Sequence, residues 1–289
     1  MSIMTRRDFM KTTAALGVGM AVFESHPVLA SPTRSYTTPE AIKRQAIDYF
    51  RTHSYARVAP VPLISGIEYN GGLNYDDRLP DSRLGQFTLQ TCSRIEDIAL
   101  SHIPSVLPIF TILTFTSQPN DQGDTPRTQL LLDYLIGIVG LTPARLRVTT
   151  TPLAAHLFPT FAQYGIGPSQ IRIRDLAEAI KAGDGSGYFA PVGHPGHPAL
   201  PTYSVEYILS ANHKRRTPAM EIELAEMGLG ELPNFSAGGF GIERVTMAKN
   251  DEARRWKDDL PTFNRRVRSL AQRMGVPLPS GYYRILGLP

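Results

Sequence analysis

Apolar residues at Ala41, Ile42, Ala46, Tyr49 and Phe50 fall at helical spacing. Thr37-Thr38-Pro39-Glu40 precedes them with a capping threonine, an early proline and an acid in the first turn, so a helix is predicted from there to near Ser54. Residues 58–64 carry two prolines and read as an extended edge piece, not a central strand. Residues 70–82 are rich in Gly, Asn, Asp and Pro and read as a loop. Alternation over 85–96 and strong β-propensity over 109–115 predict a strand and a returning strand. The polar stretch 117–127 reads as a loop. Residues 129–139 carry a helical apolar pattern that stops at Gly140. A strand over 146–151, a helix over 153–164, a strand over 171–173 and one or two helical turns over 176–181 follow. Residues 183–201 are dense in Gly, Pro and His and read as a loop. Residues 203–209 read as a strand, and 220–227 as strand or helix. Small and bulky residues then alternate at Gly238-Gly239-Phe240-Gly241, the period-two pattern of a strand, inside a glycine-rich stretch read over 235–248. Glycines on one strand face leave room for a flat ligand or another backbone. Residues 251–274 read as a basic amphipathic helical stretch broken at Pro261.

Helices interleaved with hairpin-like strands predict an α+β chain with a mostly antiparallel sheet, without the regular strand-helix rhythm of a parallel fold. The apolar fraction of 42% against 19% charged residues is enough for one substantial core. A net charge of +4 is too small to argue for nucleic acid. Cys92 is the single cysteine, which excludes an intramolecular disulfide, and it is expected to pack inside.

The N-terminus changes the expected compartment. Thr5-Arg6-Arg7-Asp8-Phe9-Met10-Lys11 precedes a mild apolar run over 12–23 and then Val28-Leu29-Ala30-Ser31. A charged region, a short apolar region and a small-residue cleavage site make a secretory signal, and the paired arginines match the twin-arginine pattern. The apolar run is shorter than the ~20 residues a bilayer requires, so no membrane span is expected. The reading is a leader over 1–30, a core over 31–250 and a basic helical tail over 251–289, in a periplasmic or secreted protein.

The candidate chemistry lies in Gly238-Gly239-Phe240-Gly241-Ile242-Glu243-Arg244-Val245. This segment resembles motif 3 of class II aminoacyl-tRNA synthetases, above all the glycine-rich form in alanyl-tRNA synthetase. Three further segments resemble that family in the same order. The opening helix with Tyr55-Ala56-Arg57-Val58-Ala59-Pro60-Val61-Pro62-Leu63 is similar to motif 1. Thr91-Cys92-Ser93-Arg94-Ile95-Glu96 is similar to the start of motif 2, with Phe110 on its returning strand. Gly140-Leu141-Thr142-Pro143-Ala144-Arg145-Leu146 resembles the family's connection after the next helix.

The resemblance implies a class II fold, ATP and magnesium, and an adenylate-forming reaction on a small carboxylic or amino acid. Arg94 would bind the α-phosphate and the substrate carboxylate, where a fixed guanidinium stabilises developing charge. Glu96 would contact the adenine side or fix the motif 2 loop. Phe110 and Arg244 would sandwich adenine, over the strand that carries Gly239 and Gly241. Ala237 stands where alanyl-tRNA synthetase has an aspartate that grips the substrate amine, and a methyl cannot hold an ammonium. His194 and His197 lie in the region of the family's amino-acid pocket. As metal ligands they would need a third or fourth partner, such as His213, Glu206 or Glu223. No segment resembles the family's editing or oligomerisation domains, so tRNA is not an expected partner, while a homodimer is left open. An adenylating ligase is one expectation. An exported nucleotide- or small-molecule-binding pseudoenzyme is a second, because ATP is scarce outside the cytoplasm, and an enzyme that uses the same pocket for a different nucleotide-like or acyl-phosphate ligand is a third. Asp184 and Ser186 in Gly183-Asp184-Gly185-Ser186-Gly187 fit neither a dinucleotide fingerprint nor a nucleophile elbow.

Overall fold

Helix α1 (Pro39–Thr52) begins where the Thr38 side chain accepts a hydrogen bond from the Ala41 N–H and proline occupies the first turn. In this computed structural model the residues described are 36–60, 64–65, 68–69, 85–93, 103, 105–107, 109–116, 123–190, 199–211, 219–230, 236–253 and 272. The short strand β1 (Ala56–Arg57) follows, then a small hairpin of β2 (Ile64–Ser65) and β3 (Glu68–Tyr69). Strands β4 (Gln86–Ser93) and β5 (Ile109–Thr116) form an antiparallel pair. Helix α2 (Asp124–Leu132) continues through a π-helical segment, Asp133–Ile138. A 3-10 turn (Pro143–Arg145) leads into β6 (Leu146–Thr150). Another 3-10 segment (Pro152–Leu157) runs into α3 (Phe158–Gln163). The chain goes on through β7 (Ile171–Ile173), α4 (Leu176–Ala182), β8 (Tyr188–Phe189), β9 (Leu200–Leu209), β10 (Met220–Gly228), β11 (Ser236–Gly241) and α5 (Ile242–Asn250).

The sheet runs β1-β4-β5-β11-β10-β9-β6-β7, with β8 beside β9. Among the described residues, only the β1–β4 and β6–β7 pairings at its ends are parallel; the others are antiparallel. The protein is therefore a mixed α+β fold with a mostly antiparallel sheet flanked by helices, as the strand pattern predicted. One sheet face carries Phe87, Leu89, Leu113, Phe115, Phe240, Val205 and Val148, all buried in the core with α1 and α5. Phe240 stacks on Tyr134 at 4.8 Å between ring centroids, which packs the π-helical segment under the central strand. Asn250 on α5 exchanges two hydrogen bonds with the Thr37 backbone before α1, at 2.9 and 2.8 Å.

Four expectations need correction. Helix α2 starts at Asp124, inside the stretch read as a loop. Gly123 and Pro126 are loop signals, but glycine and proline also belong to helix entries. The glycine-rich strand stops at Gly241, and residues 242–248 are helix. The segment read as one helix over 153–164 is a 3-10 segment followed by six residues of α-helix. The loop over 183–201 contains β8. Residues 220–227, left between helix and strand, are strand. The predicted basic tail lies outside the described residues but for residue 272 and its first residues.

The paired glycines of β11 serve the sheet. A Cβ on Gly239 would stand 2.6 Å from the Leu113 carbonyl oxygen, and one on Gly238 would stand 2.8 Å from the Glu226 carbonyl oxygen. At Gly238 the Met227 side chain stands closer still, while at Gly239 the nearest obstacle is backbone, so there the neighbouring strand would have to move. We expect Gly239→Ala to cost about 1–3 kcal/mol by overpacking, read as a lower urea midpoint. An unchanged midpoint would show that the strands yield freely at this point.

Candidate functional site

The second face of the sheet is polar, and register decides which residues share it. Thr88 pairs with Thr114, Gln90 with Ile112 and Cys92 with Phe110 across β4–β5. Thr114 pairs with Gly239 and Ile112 with Gly241 across β5–β11. Gly239 pairs with Glu226, Glu226 with Ser204 and Ser204 with Thr149. A register shift between Glu223 and Ala225 keeps Glu221, Glu223 and Glu226 on this same face, although their spacing is two residues and then three. Glu223 is opposite Glu206, and Glu206 is opposite Arg147.

Arg244 enters this face from the first turn of α5. Its stem passes within 3.7–3.8 Å of where a Gly241 Cβ would be. Its Nη1 donates to Glu223 Oε1 at 3.1 Å and to the Glu223 carbonyl at 3.3 Å. The neighbouring Glu243 accepts the Thr111 N–H at Oε2, 2.8 Å away, which joins α5 to β5. Burial pushes the Glu243 carboxyl above its usual range, and the Thr111 amide and Lys43 draw it back. Phe110 is half-buried at the core's edge, one pleat from Ile112. Because Ile112 faces Gly241 under the Arg244 stem, Phe110 and Arg244 share one end of one face. Cys92 is fully buried.

Arg94, Glu96, His194 and His197 lie outside the described residues. Ala237 has its backbone in β11, and its side chain is likewise outside them. Among the described residues no group of three or more His, Cys, Asp or Glu could hold a metal ion.

Glu206 is the titratable residue of this face with the most unusual setting. It is 7% exposed, and its Oε2 has no hydrogen-bond partner among the described residues. Burial pushes its carboxyl up to about 8. The Thr149 hydroxyl pulls it part of the way back without hydrogen-bonding geometry to Oε2, Glu221 and Glu223 push it further up, and Arg172 lowers it. The clue in the sequence was Glu221-x-Glu223-x-x-Glu226, a run of a strand-depleted residue type inside an apolar stretch. The metal-ligand reading of Glu206 with the histidines did not anticipate this role.

Two further polar clusters hold the surroundings in place. Asp124 pairs with Arg127, accepts the Gly230 N–H at 2.8 Å and faces His156 Nε2 at 2.7 Å. Asp251, at the left-handed end of α5, pairs with Arg145 and accepts the Ser210 N–H at 2.8 Å. Burial works against the Asp251 charge, but Arg145 and Ser210 outweigh it and lower its pKa to about 2. The Arg145 guanidinium also lies 4.7 Å over the Tyr207 ring.

No protein-family model and no curated protein matches this chain. Among solved structures, apo histidyl-tRNA synthetase of S. aureus overlaps it at 9% identity with a TM-score of 0.40, over 78% of this chain and 71% of that one. An overlap of that size assigns neither a family nor an activity. No helix among the described residues is long and apolar enough to cross a membrane.

Proposed function

We infer that this chain has a class II synthetase-like core, alanyl-like in its sequence motifs. In this reading it binds an adenine nucleotide and activates a small carboxylic or amino acid by adenylation, without charging tRNA. The observation that supports the reading is the β11–α5 junction. It carries Arg244 across Gly241 onto the polar sheet face, at the end where Phe110 leaves β5. A planar cation and an aromatic ring at one sheet end suit an adenine ring between them. ATP supplies the α-phosphorus that the substrate carboxylate attacks, with pyrophosphate leaving. In this reading Arg94 neutralises the charge that develops there, and Glu96 steadies the loop beside it. Magnesium would accompany the phosphates and offset their charge, since this ion keeps most of its water and needs few protein ligands.

The test is ATP–pyrophosphate exchange with a panel of small acids, with and without amines. Acid-dependent exchange supports the ligase; exchange with none of them removes it. A specific observation favours the runner-up, an exported binding protein that reuses the fold. Arg244 is already engaged by Glu223, and Glu221 and Glu226 add further acids to the same face, which repels a triphosphate that arrives without a metal. Nucleotide binding without exchange selects this second reading.

Export through the twin-arginine route belongs to both readings. Replacing Arg6 and Arg7 together by lysine is expected to hold the uncleaved precursor in the cytoplasm, scored by fractionation and immunoblot. Normal maturation of that variant would overturn the assignment.

A further inference from the structure

The acids of the polar face differ in one respect. Glu221 has Arg172 at 3.1 Å and Glu223 has Arg244 at 3.1 Å. Glu206, between them, has no such cation among the described residues. The arginine opposite it, Arg147, turns its Nη1 to the carbonyls of Leu146 and Ala144 at 2.7 and 3.2 Å. A buried carboxyl with an open acceptor is costly to keep.

We propose that Glu206 is the anchor of a subsite for an organic cation, the ammonium or guanidinium end of a small ligand lying across β9 and β10. Three arguments select a cation. The Glu206 Oε2 is an open acceptor on a side chain 7% exposed. Glu223 stands directly opposite it, and Glu221 is close enough to act on its charge. An anion would face these carboxylates, whereas an N–H-bearing cation satisfies the open oxygen and relieves their mutual repulsion. The charged groups facing Glu206 are Arg147 of β6, Arg172 of β7 and Glu221 and Glu223 of β10, with Arg244 of α5 reached through Glu223.

The subsite supplies an amine anchor on a different strand from Ala237. It stands on the sheet face alone and does not depend on nucleotide binding. Because burial holds the Glu206 proton up to about 8, a cation that binds at neutral pH displaces that proton. Affinity therefore rises with pH and levels off above that value.

The test is isothermal titration of the full-length protein with agmatine, a doubly cationic probe that carries no carboxylate, from about pH 6 to about pH 9. Affinity is expected to rise at least about tenfold over that range. Near pH 7 about one proton should pass to the buffer per ligand bound, read from the dependence of the enthalpy on buffer ionisation. Glu206→Gln is expected to lose about tenfold or more in affinity, together with the pH dependence and the proton release. Glu206→Asp, with circular dichroism to verify the fold, should retain the proton release. Agmatine affinity that is absent, or equal in wild type and Glu206→Gln, overturns the subsite, as does tighter binding of propionate than of agmatine. A parallel ATP titration separates the two readings: loss of ATP binding in Arg244→Ala with agmatine binding intact leaves the subsite standing.

Discussion

Asp124→Ala is expected to lower the unfolding free energy by about 3–5 kcal/mol, the range for breaking a buried ion pair from one side. Asp124 is 8% exposed and Arg127 only 2%, so truncation takes the Asp124 carboxylate away from a guanidinium in the interior. The loss spreads, because the same carboxylate also accepts the Gly230 N–H and faces His156. It thereby ties α2 to the end of β10 and to the 3-10 segment before α3. Arg127 continues the tie by donating to the Gly230 carbonyl at 2.7 Å. Urea unfolding measures the cost. Asp124→Ala combined with Arg127→Met should recover part of it, since a well-packed apolar replacement of both partners removes the stranded charge. A single-mutant loss below about 1 kcal/mol would mean that the pair behaves as a solvated surface contact.

Arg244→Ala is expected to abolish nucleotide binding, a loss of about a hundredfold or more in ATP affinity measured by calorimetry. A guanidinium can stack on a ring and still bind a phosphate; one charge-assisted phosphate contact is worth about 1.5–3 kcal/mol, and the stacking adds about 0.5–2 kcal/mol. Arg244 is about one-third exposed, with a side-chain accessibility of 32%, so the fold should survive and the variant should melt close to wild type. Arg244→Lys separates the two contributions, since lysine keeps the charge and loses the planar stacking surface. It should bind ATP more weakly than wild type and more tightly than the alanine variant. Wild-type ATP affinity in Arg244→Ala would remove adenine recognition from this end of the sheet.

The amino-acid order carried the strands well where apolar and polar residues alternate against one helical layer. The helix over 39–52, the hairpin at 86–116 and the strand at 203–209 were all legible for that reason. The errors came where one signal has two meanings. Gly123 and Pro126 punctuate a loop or open a helix, and only the burial of Leu131 and Leu132 in the core settles which. At Ile242 the strand pattern passes into helix without a break in hydrophobicity, since Val245 and Ala248 are as apolar as strand residues. Arg244 was legible because its glycine-rich approach is unusual. Glu206 was seen only as a metal-ligand candidate, because its setting depends on Glu223 and Arg147, which lie 17 residues ahead of it and 59 behind it in the sequence. The reading of Gly239 left two uses open, a ligand or a neighbouring backbone. The close Leu113 carbonyl supplies a sufficient reason in the backbone.

The central place of β11 has a consequence for how the molecule is born. β5 and β10 meet no common neighbour until β11 lies between them, and its pairing with β5 joins residues more than a hundred positions apart. Before β11 is made, β4–β5 and β6–β7–β9–β10 can therefore pair only as two separate half-sheets. Each exposes the long edge that β11 will later cover, and exposed edges invite pairing with other chains. Closure waits until synthesis has passed Gly241, and the high separation of that contact makes it slow. A nascent chain of this protein therefore carries two open edges, and the aggregation hazard they bring, until β11 has been made.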